Sequence, residues 1–240
     1  MKWKFILLTL VIFFSGCAKS KVDKNNDLGS GDKSNLPISL DLLIEHAEYC
    51  KEIYDAGGDQ KDDVAFDVKQ DNGISIIIIR GTANAENVQS DIDVRLVKDD
   101  KLEIYLHKGF RDASLGVMEI IDNTKTLEHT VHVTGHSLGG AISQIIGMWL
   151  HKRGKNVQVF SYGSPKVSNQ VLDSQPSHWR VVRRSDPVPF TPPWPYAHTG
   201  LFIDSQTLDW GPDNDNGLIS ETDGLDHAIA KYVTTLKEQR

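Results

Sequence analysis

The stretch Gly135-His136-Ser137-Leu138-Gly139 decides the fold of this chain. The β-branched residues at 130–134 before it are typical of a strand, and the apolar run at 140–150 after it is typical of a helix. A serine between two glycines at such a strand-to-helix turn has the form of a nucleophile elbow, in which a strained backbone lifts the hydroxyl clear of the sheet. We therefore predict that Ser137 is a nucleophile. The alternative is a glycine-rich turn that only packs closely.

The same turn supplies a candidate oxyanion donor. The backbone amide of Leu138 opens the predicted helix, and the positive end of that helix points at the same space as the Ser137 hydroxyl. The glycines at 135 and 139 lack a Cβ, so neighbouring backbone can approach closely. The pattern therefore predicts that a nucleophile and an amide donor face one position.

A serine hydroxyl is a poor nucleophile until a base takes its proton and an acid holds that base. In α/β-hydrolases the chain order is serine, then an acid, then histidine. After Ser137, His151 is predicted on an outward helix face and His178 in a polar turn. His198 and His227 therefore remain as candidates for the base.

The acid should follow the end of a strand, where loops build a site. Asp186 ends the predicted strand at 179–184 and is followed by Pro187-Val188-Pro189, whose restricted backbone would fix its position. Asp204, also after a predicted strand, is the alternative. The sequence alone leaves both open and favours Asp186.

The remaining segments alternate between strand and helix patterns. A hairpin is predicted around Asp71-Asn72-Gly73, and its second strand, 74–79, is apolar enough to be buried on both faces. The other predicted strands are 102–106, 156–162 and a late hairpin at 200–210, and the other predicted helices are 40–55, 110–127 and 226–237. This alternation predicts an α/β fold with a mixed, mostly parallel sheet flanked by helices.

The first residues have the pattern of an export signal. Two lysines precede an apolar run at 5–14, which is too short to span a bilayer as a mature helix. Ser15-Gly16-Cys17 follows and resembles the lipobox of bacterial lipoproteins, although Phe14 stands where leucine is more usual. The resemblance implies a signal peptide at 1–16 and a lipid on Cys17. It also implies a membrane-anchored protein of the bacterial cell envelope, in the outer membrane if the host has one. The alternative is an ordinary signal peptide cut near Ala18.

Composition divides the rest of the chain and limits its partners. Residues 17–35 are almost all polar after the cysteine and predict a flexible tether. Residues 36–240 suit one α/β domain. The formal net charge is −7 and no basic stripe is present, so nucleic acid is not an expected partner.

An acidic segment near the end of the chain invites comparison with calcium loops. It contains Asn214, Asn216, Gly217 and four aspartates, which are Asp209, Asp213, Asp215 and Asp223. The calcium-loop pattern fails because Pro212 stands where the first carboxylate should be. We therefore expect a solvated loop, with no metal and no cofactor.

Six blocks, in order, resemble the class 3 lipase family, which comprises fungal triacylglycerol lipases, feruloyl esterases and their bacterial relatives. The blocks are Ile79-Arg80-Gly81-Thr82, His107-Lys108-Gly109-Phe110, Val133-Thr134-Gly135-His136-Ser137-Leu138-Gly139-Gly140-Ala141, Tyr162-Gly163-Ser164-Pro165-Lys166-Val167, Asp186-Pro187-Val188-Pro189 and Asp226-His227. The resemblance implies an α/β-hydrolase fold and a serine ester hydrolase that acts on lipid or another acyl ester.

The resemblance assigns roles to individual residues. It implies that Ser137 is the nucleophile, Asp186 the acid and His227 the base. It also implies that Thr82 completes the oxyanion hole with the amide of Leu138. His198 falls at a structural family position, and so do His107 and His136, which are expected to be packed, hydrogen-bonded imidazoles.

The segment 83–92, after the oxyanion residue, corresponds to the family's lid. If it is helical, its apolar stripe is narrow and contains no aromatic residue, which favours short to medium acyl esters. The alternatives are a phospholipase acting on bilayer lipid and a non-catalytic surface lipoprotein that reuses the fold. The aromatic, proline-rich run at 190–196 is expected to be either a rigid packed loop or an acyl-chain wall.

Overall fold

The computed structural model describes residues 30–56, 59–61, 64–81, 93–170, 176–212 and 225–240. Several predicted features lie outside these ranges: the signal peptide, Cys17, Thr82 and the lid segment 83–92. In the part of the chain that the structure describes, no helix combines the length and apolar character needed to cross a bilayer.

A mixed sheet forms the centre of the domain, as the alternating pattern predicts. Among the described residues its strands are β1 (Asp59–Lys61), β2 (Val64–Asp71), β3 (Ile74–Ile79), β6 (Thr130–His136), β7 (Asn156–Tyr162), β8 (Ser177–Val182), β9 (Leu201–Asp204) and β10 (Trp210–Gly211). They lie side by side in that order. The run from β3 to β9 is parallel, and the pairs at both edges are antiparallel. The carboxyl ends of five strands therefore meet at one edge.

In the described ranges, four helices cover the two faces of this sheet. They are α1 (Leu40–Ala56), α2 (Lys108–Thr124), α3 (Leu138–Lys152) and α4 (Ile229–Glu238). The core between α2, α3 and the sheet contains Val131, Val133 and Val159, whereas α1 and α4 pack on Tyr162 and Val181. The alternation of side chains along each strand sends neighbouring residues to opposite cores.

The predicted hairpin at the start of the sheet is confirmed. Asp71 pairs with Ile74, and Asn72 and Gly73 connect them with φ values of 46° and 78°. Two positive φ values fit the tight turns that match strand twist, and asparagine followed by glycine is the preferred pair for them. The apolar run of β3 is then buried in the middle of the sheet.

The strand predicted at 102–106 belongs to a different sheet. It forms β5 (Ile104–His107), which pairs with β4 (Leu96–Asp99) in a separate two-stranded antiparallel unit. The pattern showed an apolar strand but carried no information about its partner, because β4 has no clear alternation. The late hairpin is confirmed as the antiparallel pair β9 and β10.

The amino-terminal end of the described chain contacts the domain edge. Gly31 exchanges backbone hydrogen bonds of 3.0 and 2.9 Å with Trp210 in β10, and a 3₁₀ turn follows at Lys33–Asn35. The Trp210 indole donates to Asn35 Oδ1 at 3.1 Å. These residues fall within the segment that the polar composition assigns to a tether, so its last residues lie against the sheet edge.

A buried carboxylate joins the small β4–β5 unit to the main domain. Asp99 is fully buried and accepts hydrogen bonds from the backbone amides of Lys101 and Leu102, at 3.1 and 2.9 Å. It also accepts from Arg111 Nε in α2 at 3.0 Å and from the Trp149 indole in α3 at 3.2 Å. One side chain therefore satisfies donors from a turn and from two helices.

Replacing Asp99 by alanine is expected to destabilise the protein by about 3 kcal/mol, because it leaves several buried donors and a guanidinium without their acceptor. Asp112→Ala is the matched control, since the Asp112 side chain is 45% exposed and pairs with Lys108 and Arg111 at the surface. Its effect should stay within about 0.5 kcal/mol. Urea unfolding followed by circular dichroism measures both, and equal losses would contradict the role given to Asp99.

Candidate active site

The nucleophile elbow has the geometry that its glycines predict. Ser137 lies between β6 and α3 with φ 60° and ψ −130°, a region that L-residues rarely adopt. Its amide donates to the Tyr162 carbonyl in β7 at 2.9 Å. A Cβ on Gly139 would lie 2.2 Å from the Ile79 carbonyl oxygen, and one on Gly135 would lie 2.3 Å from the Gly139 carbonyl oxygen. The predicted close approach of backbone is therefore confirmed.

Ser137, His227 and Asp186 form one hydrogen-bonded chain. Ser137 Oγ lies 2.7 Å from His227 Nε2, and His227 Nδ1 lies 2.7 Å from Asp186 Oδ2. A carboxylate can only accept, so Nδ1 carries the imidazole proton and Nε2 is free to accept from the serine hydroxyl. The exposed fractions of the three residues are 5%, 6% and 0%.

Two further donors hold the carboxylate of Asp186. The amide of Val188 donates to Oδ1 at 2.9 Å, as expected from the short turn after the acid. The Tyr232 hydroxyl in α4 donates to Oδ2 at 2.6 Å, and burial raises the pKa of this phenol well above its usual value. Sequence analysis missed Tyr232, because a tyrosine on the buried face of a helix has the same pattern as an ordinary core residue.

Gly163 makes room for the side chains of Asp186 and His227. It follows β7 with φ 56°, and a Cβ there would lie 2.7 Å from Asp186 Oδ2 and 2.9 Å from the Tyr232 hydroxyl. It would also approach His227 Cε1 to 3.3 Å. Both the backbone angle and the space therefore require glycine at this position.

Two ion pairs hold Asp226, the residue before His227. Asp226 accepts from Arg183 Nε at 3.2 Å and from Lys231 Nζ at 2.8 Å. The hydrogen bond from Lys231 is the largest cause that lowers the pKa of Asp226 to about 2. His227 is the last residue of a 3₁₀ turn just before α4. The sequence had predicted that the helix begins at 226, whereas α4 begins at Ile229. These ion pairs connect that turn to the segment after β8, which carries Asp186.

The other candidates from the sequence have different partners. The ring of His198 is buried and its Nε2 hydrogen-bonds the Pro189 carbonyl. Asp204 forms an ion pair with Arg184 and accepts from the Gln206 amide. His178 is not in a polar turn as predicted, but buried within β8, where its Nε2 lies 2.8 Å from Ser161 Oγ. His151 is exposed at the end of α3, as expected.

The oxyanion side of the site is described in part. Leu138 is the first residue of α3, so its amide belongs to the group of helix N–H donors that have no acceptor within the helix. Gly81 lies next to the elbow, since a Cβ there would be 3.0 Å from Ser137 Cβ. Thr82 follows Gly81 directly but lies outside the described residues.

Within the described ranges, no group of three or more histidine, cysteine, aspartate or glutamate side chains is arranged to hold a metal ion. Asp213, Asp215 and Asp223 of the acidic loop lie outside those ranges. The chain of hydrogen bonds from Asp186 through His227 gives the described site an oriented imidazole that can take a proton from Ser137.

Comparison with known proteins agrees with this geometry. The sequence profile of the family described as Lipase (class 3) matches residues 76–196, about half of the chain. The secreted mono- and diacylglycerol lipase 1 of Fusarium solani is 30% identical over 160 residues, which cover 61% of this chain and 47% of that protein. A lipase of Rhizomucor miehei is 30% identical over 144 residues, which cover 52% and 39%. The chain thus spans less than half the length of each relative.

Solved structures show the same fold. The triacylglyceride lipase of Rhizomucor miehei superposes with a TM-score of 0.64 at 22% identity, over 83% of this chain and 95% of that one. A triacylglycerol lipase from Penicillium expansum gives a TM-score of 0.56 at 18% identity, over 75% and 85%. The mostly parallel sheet with helices on both faces is therefore the α/β-hydrolase fold, and with the profile match it shows that this chain belongs to the class 3 lipase family.

Proposed function

We propose that this protein hydrolyses carboxylic acyl esters through an acyl-enzyme on Ser137. The observation that carries the proposal is the chain of two 2.7 Å hydrogen bonds from Ser137 through His227 to the buried carboxylate of Asp186. Such a chain lets a neutral imidazole accept the serine proton while the carboxylate stabilises the imidazolium.

The proposed reaction has two halves. In the first, Ser137 Oγ attacks the ester carbonyl, its proton passes to His227 Nε2, and the oxyanion accepts from the backbone amides of Leu138 and Thr82. The intermediate collapses when His227 returns the proton to the departing alcohol. In the second half, His227 takes a proton from water, which attacks the acyl-enzyme, and His227 then returns that proton to Ser137 Oγ as the acid is released. His227 mediates every proton transfer in this scheme, and the backbone amides only donate hydrogen bonds to the oxyanion.

Substrate size is proposed from the sequence of the lid and the surface near the acid. The segment 83–92 has little apolar area with which to bind an oil surface. In the loop after the acid, Tyr196 is buried, Phe190 is half-buried and Trp194 is 89% exposed. These features support short to medium acyl esters as substrates, with the loop at 190–196 forming one wall of the acyl site.

Removal of any of the three hydrogen-bonded side chains, Ser137, His227 or Asp186, is expected to abolish most turnover. Ser137→Ala and His227→Ala should each lower kcat by about 10⁴-fold or more, and Asp186→Asn by about 10³- to 10⁴-fold, because an amide cannot stabilise the imidazolium. Because the three act as a unit, Ser137→Ala combined with His227→Ala should be no worse than either alone. Hydrolysis of nitrophenyl butyrate, with melting temperatures as a check on folding, measures these effects.

Ser143→Ala is the matched control, since it removes a buried hydroxyl from the same helix α3. It should keep kcat within about threefold, as expected for a serine outside the reacting chain. Wild-type turnover in Ser137→Ala would support the non-catalytic alternative. Full activity in Asp186→Ala would move the acid elsewhere, with Asp204 the next residue to test.

The rate is expected to change little as a substrate passes its solubility limit. Purified mature protein should hydrolyse acetyl to octanoyl nitrophenyl esters faster than palmitoyl esters, because the lid offers little area for binding an oil surface. Emulsified triacylglycerol and phospholipid vesicles complete the panel. A steep rise on emulsified long-chain triacylglycerol would contradict the proposed role of the lid, and preferred cleavage of vesicles would favour a phospholipase.

We also propose that the protein is exported and anchored to a membrane of the bacterial cell envelope by a lipid on Cys17. The relative from Fusarium solani is named as a secreted lipase, which agrees with export. The anchor rests on the Ser15-Gly16-Cys17 sequence alone. It would hold the catalytic domain beside bilayer lipid through the polar segment that follows it.

Labelling with an alkyne analogue of palmitate tests this anchor. The wild-type protein should incorporate the label in its native host, and Cys17→Ser should not, because it removes the acylated thiol. Cys50→Ser is the control and should keep the label, since Cys50 is fully buried in α1. An unlabelled wild-type protein would refute the anchor.

A further inference from the structure

Tyr54 brings a phenol from the last turn of α1 to the active site. Its hydroxyl oxygen lies 2.8 Å from Nδ1 of His136, the residue directly before the nucleophile. The two rings meet edge to face, with centroids 5.9 Å apart. The reaction proposed above gives neither side chain a part in chemistry.

His136 in turn holds the backbone of the proposed base. Its Nε2 lies 2.6 Å from the carbonyl oxygen of His227, and the two imidazole rings are tilted with centroids 4.6 Å apart. A carbonyl oxygen can only accept, so Nε2 must carry a proton. Burial lowers the pKa of His136 well below its usual value, so the ring is neutral and carries a single proton.

The tautomer of His136 therefore follows from its neighbours. With the proton on Nε2, Nδ1 presents a lone pair, and the Tyr54 hydroxyl donates to it. Burial raises the pKa of Tyr54, so the hydroxyl keeps its proton. In the other tautomer, Nε2 and the His227 carbonyl would face each other with two lone pairs at 2.6 Å. That arrangement is repulsive and would displace the base.

The same phenol oxygen also lies close to Gly81, which directly precedes the proposed oxyanion residue Thr82. A Cβ on Gly81 would be 2.6 Å from the Tyr54 hydroxyl oxygen. Burial raises the pKa of Tyr54, and a hydrogen bond from the Gly81 backbone opposes part of that rise. The phenol oxygen can accept from Gly81 while its own O–H donates to His136 Nδ1. Three segments therefore meet at one hydroxyl: the end of β3 before Thr82, the elbow, and, through His136, the turn that carries His227.

We propose that Tyr54 is a positioning residue of the active site: its hydroxyl donates to Nδ1 of the Nε2–H tautomer of His136 and holds that ring in place, and the ring thereby fixes the backbone of His227 relative to the nucleophile and to Gly81. This proposal rests on the ester hydrolysis proposed above. The base lies in a short turn, and a displacement of about 1 Å at a reacting group can cost about 10²-fold in rate. A bond to the base's own carbonyl restrains such a displacement directly.

Tyr54→Phe removes the hydroxyl and keeps the ring. We expect kcat on nitrophenyl butyrate to fall about 10- to 100-fold, with KM within about twofold, because substrate binding does not use this group. Tyr49→Phe is the matched control on the same helix, since its hydroxyl donates to Glu45 Oε1 at 2.7 Å, away from the site. It should keep the wild-type kcat, with a similar melting temperature in both variants.

Nitrogen-15 spectra of histidine-labelled protein test the tautomer without any substrate. In the wild-type protein, the long-range correlations of His136 should show a protonated Nε2 and a bare Nδ1. In Tyr54→Phe the His227 carbonyl should still keep the proton on Nε2, but the Nδ1 resonance should move downfield because its hydrogen-bond donor is gone, whereas Tyr49→Phe should keep the wild-type pattern. A wild-type His136 with its proton on Nδ1 would overturn the proposal even if the variant did not fold.

The two readouts separate this inference from the proposed function. If Ser137→Ala is inactive but Tyr54→Phe keeps full kcat and the wild-type Nδ1 resonance, ester hydrolysis stands and Tyr54 has no positioning role. If the wild-type protein hydrolyses no ester of the panel while the Nδ1 resonance shifts as expected in Tyr54→Phe, the proposed function fails and the hydrogen bond from Tyr54 to His136 stands.

Discussion

The strained backbone of Ser137 is the constraint on which the rest of the structure depends. A non-glycine residue at φ 60° and ψ −130° costs about 1–3 kcal/mol, which surrounding packing must offset. The packing is backbone against backbone: Gly139 lies against the Ile79 carbonyl, and Gly135 lies against the Gly139 carbonyl. The hydrogen bond from the Ser137 amide to Tyr162 then fixes the turn to β7. The start of α3 is thus held against the ends of β3 and β6 at distances that only glycine allows, and this places the Ser137 hydroxyl above the carboxyl ends of the strands.

A fully buried carboxylate sets the electrostatics of the site. Asp186 has no exposed surface, yet it accepts from the Val188 amide, His227 Nδ1 and the Tyr232 hydroxyl. A buried charge is tolerated when its oxygens are saturated with donors, and each donor removed would leave it partly unpaired. The carboxylate therefore orients its donors as much as they hold it. The short turn at Pro187 places the Val188 amide against the carboxylate, and glycine at 163 leaves room for it.

The sequence predicted those features of the fold that local patterns carry. The elbow, the hairpin at Asn72 and the faces of the helices follow from glycine spacing, turn chemistry and apolar periodicity. The partner of β5 and the burial of His178 could not be predicted, because both depend on which segments meet in space. Tyr54 and Tyr232 were hidden for the same reason: a buried tyrosine on a helix looks like core until the position of its hydroxyl is known.

The site divides its parts between the two faces of the sheet. The nucleophile and the Leu138 amide belong to the turn into α3, on one face. Both tyrosines come from the opposite face, since α1 carries Tyr54 and α4 carries Tyr232. These two helices pack against each other and are joined at their surface by ion pairs between Lys237 and Glu48 and between Arg240 and Asp41. Exposed pairs of this kind contribute little, so the shared apolar core of α1 and α4 holds the two phenols in register. One phenol then hydrogen-bonds Asp186 and the other reaches the backbone of His227 through His136, so a single helix pair positions both residues of the hydrogen-bonded chain that ends at Ser137.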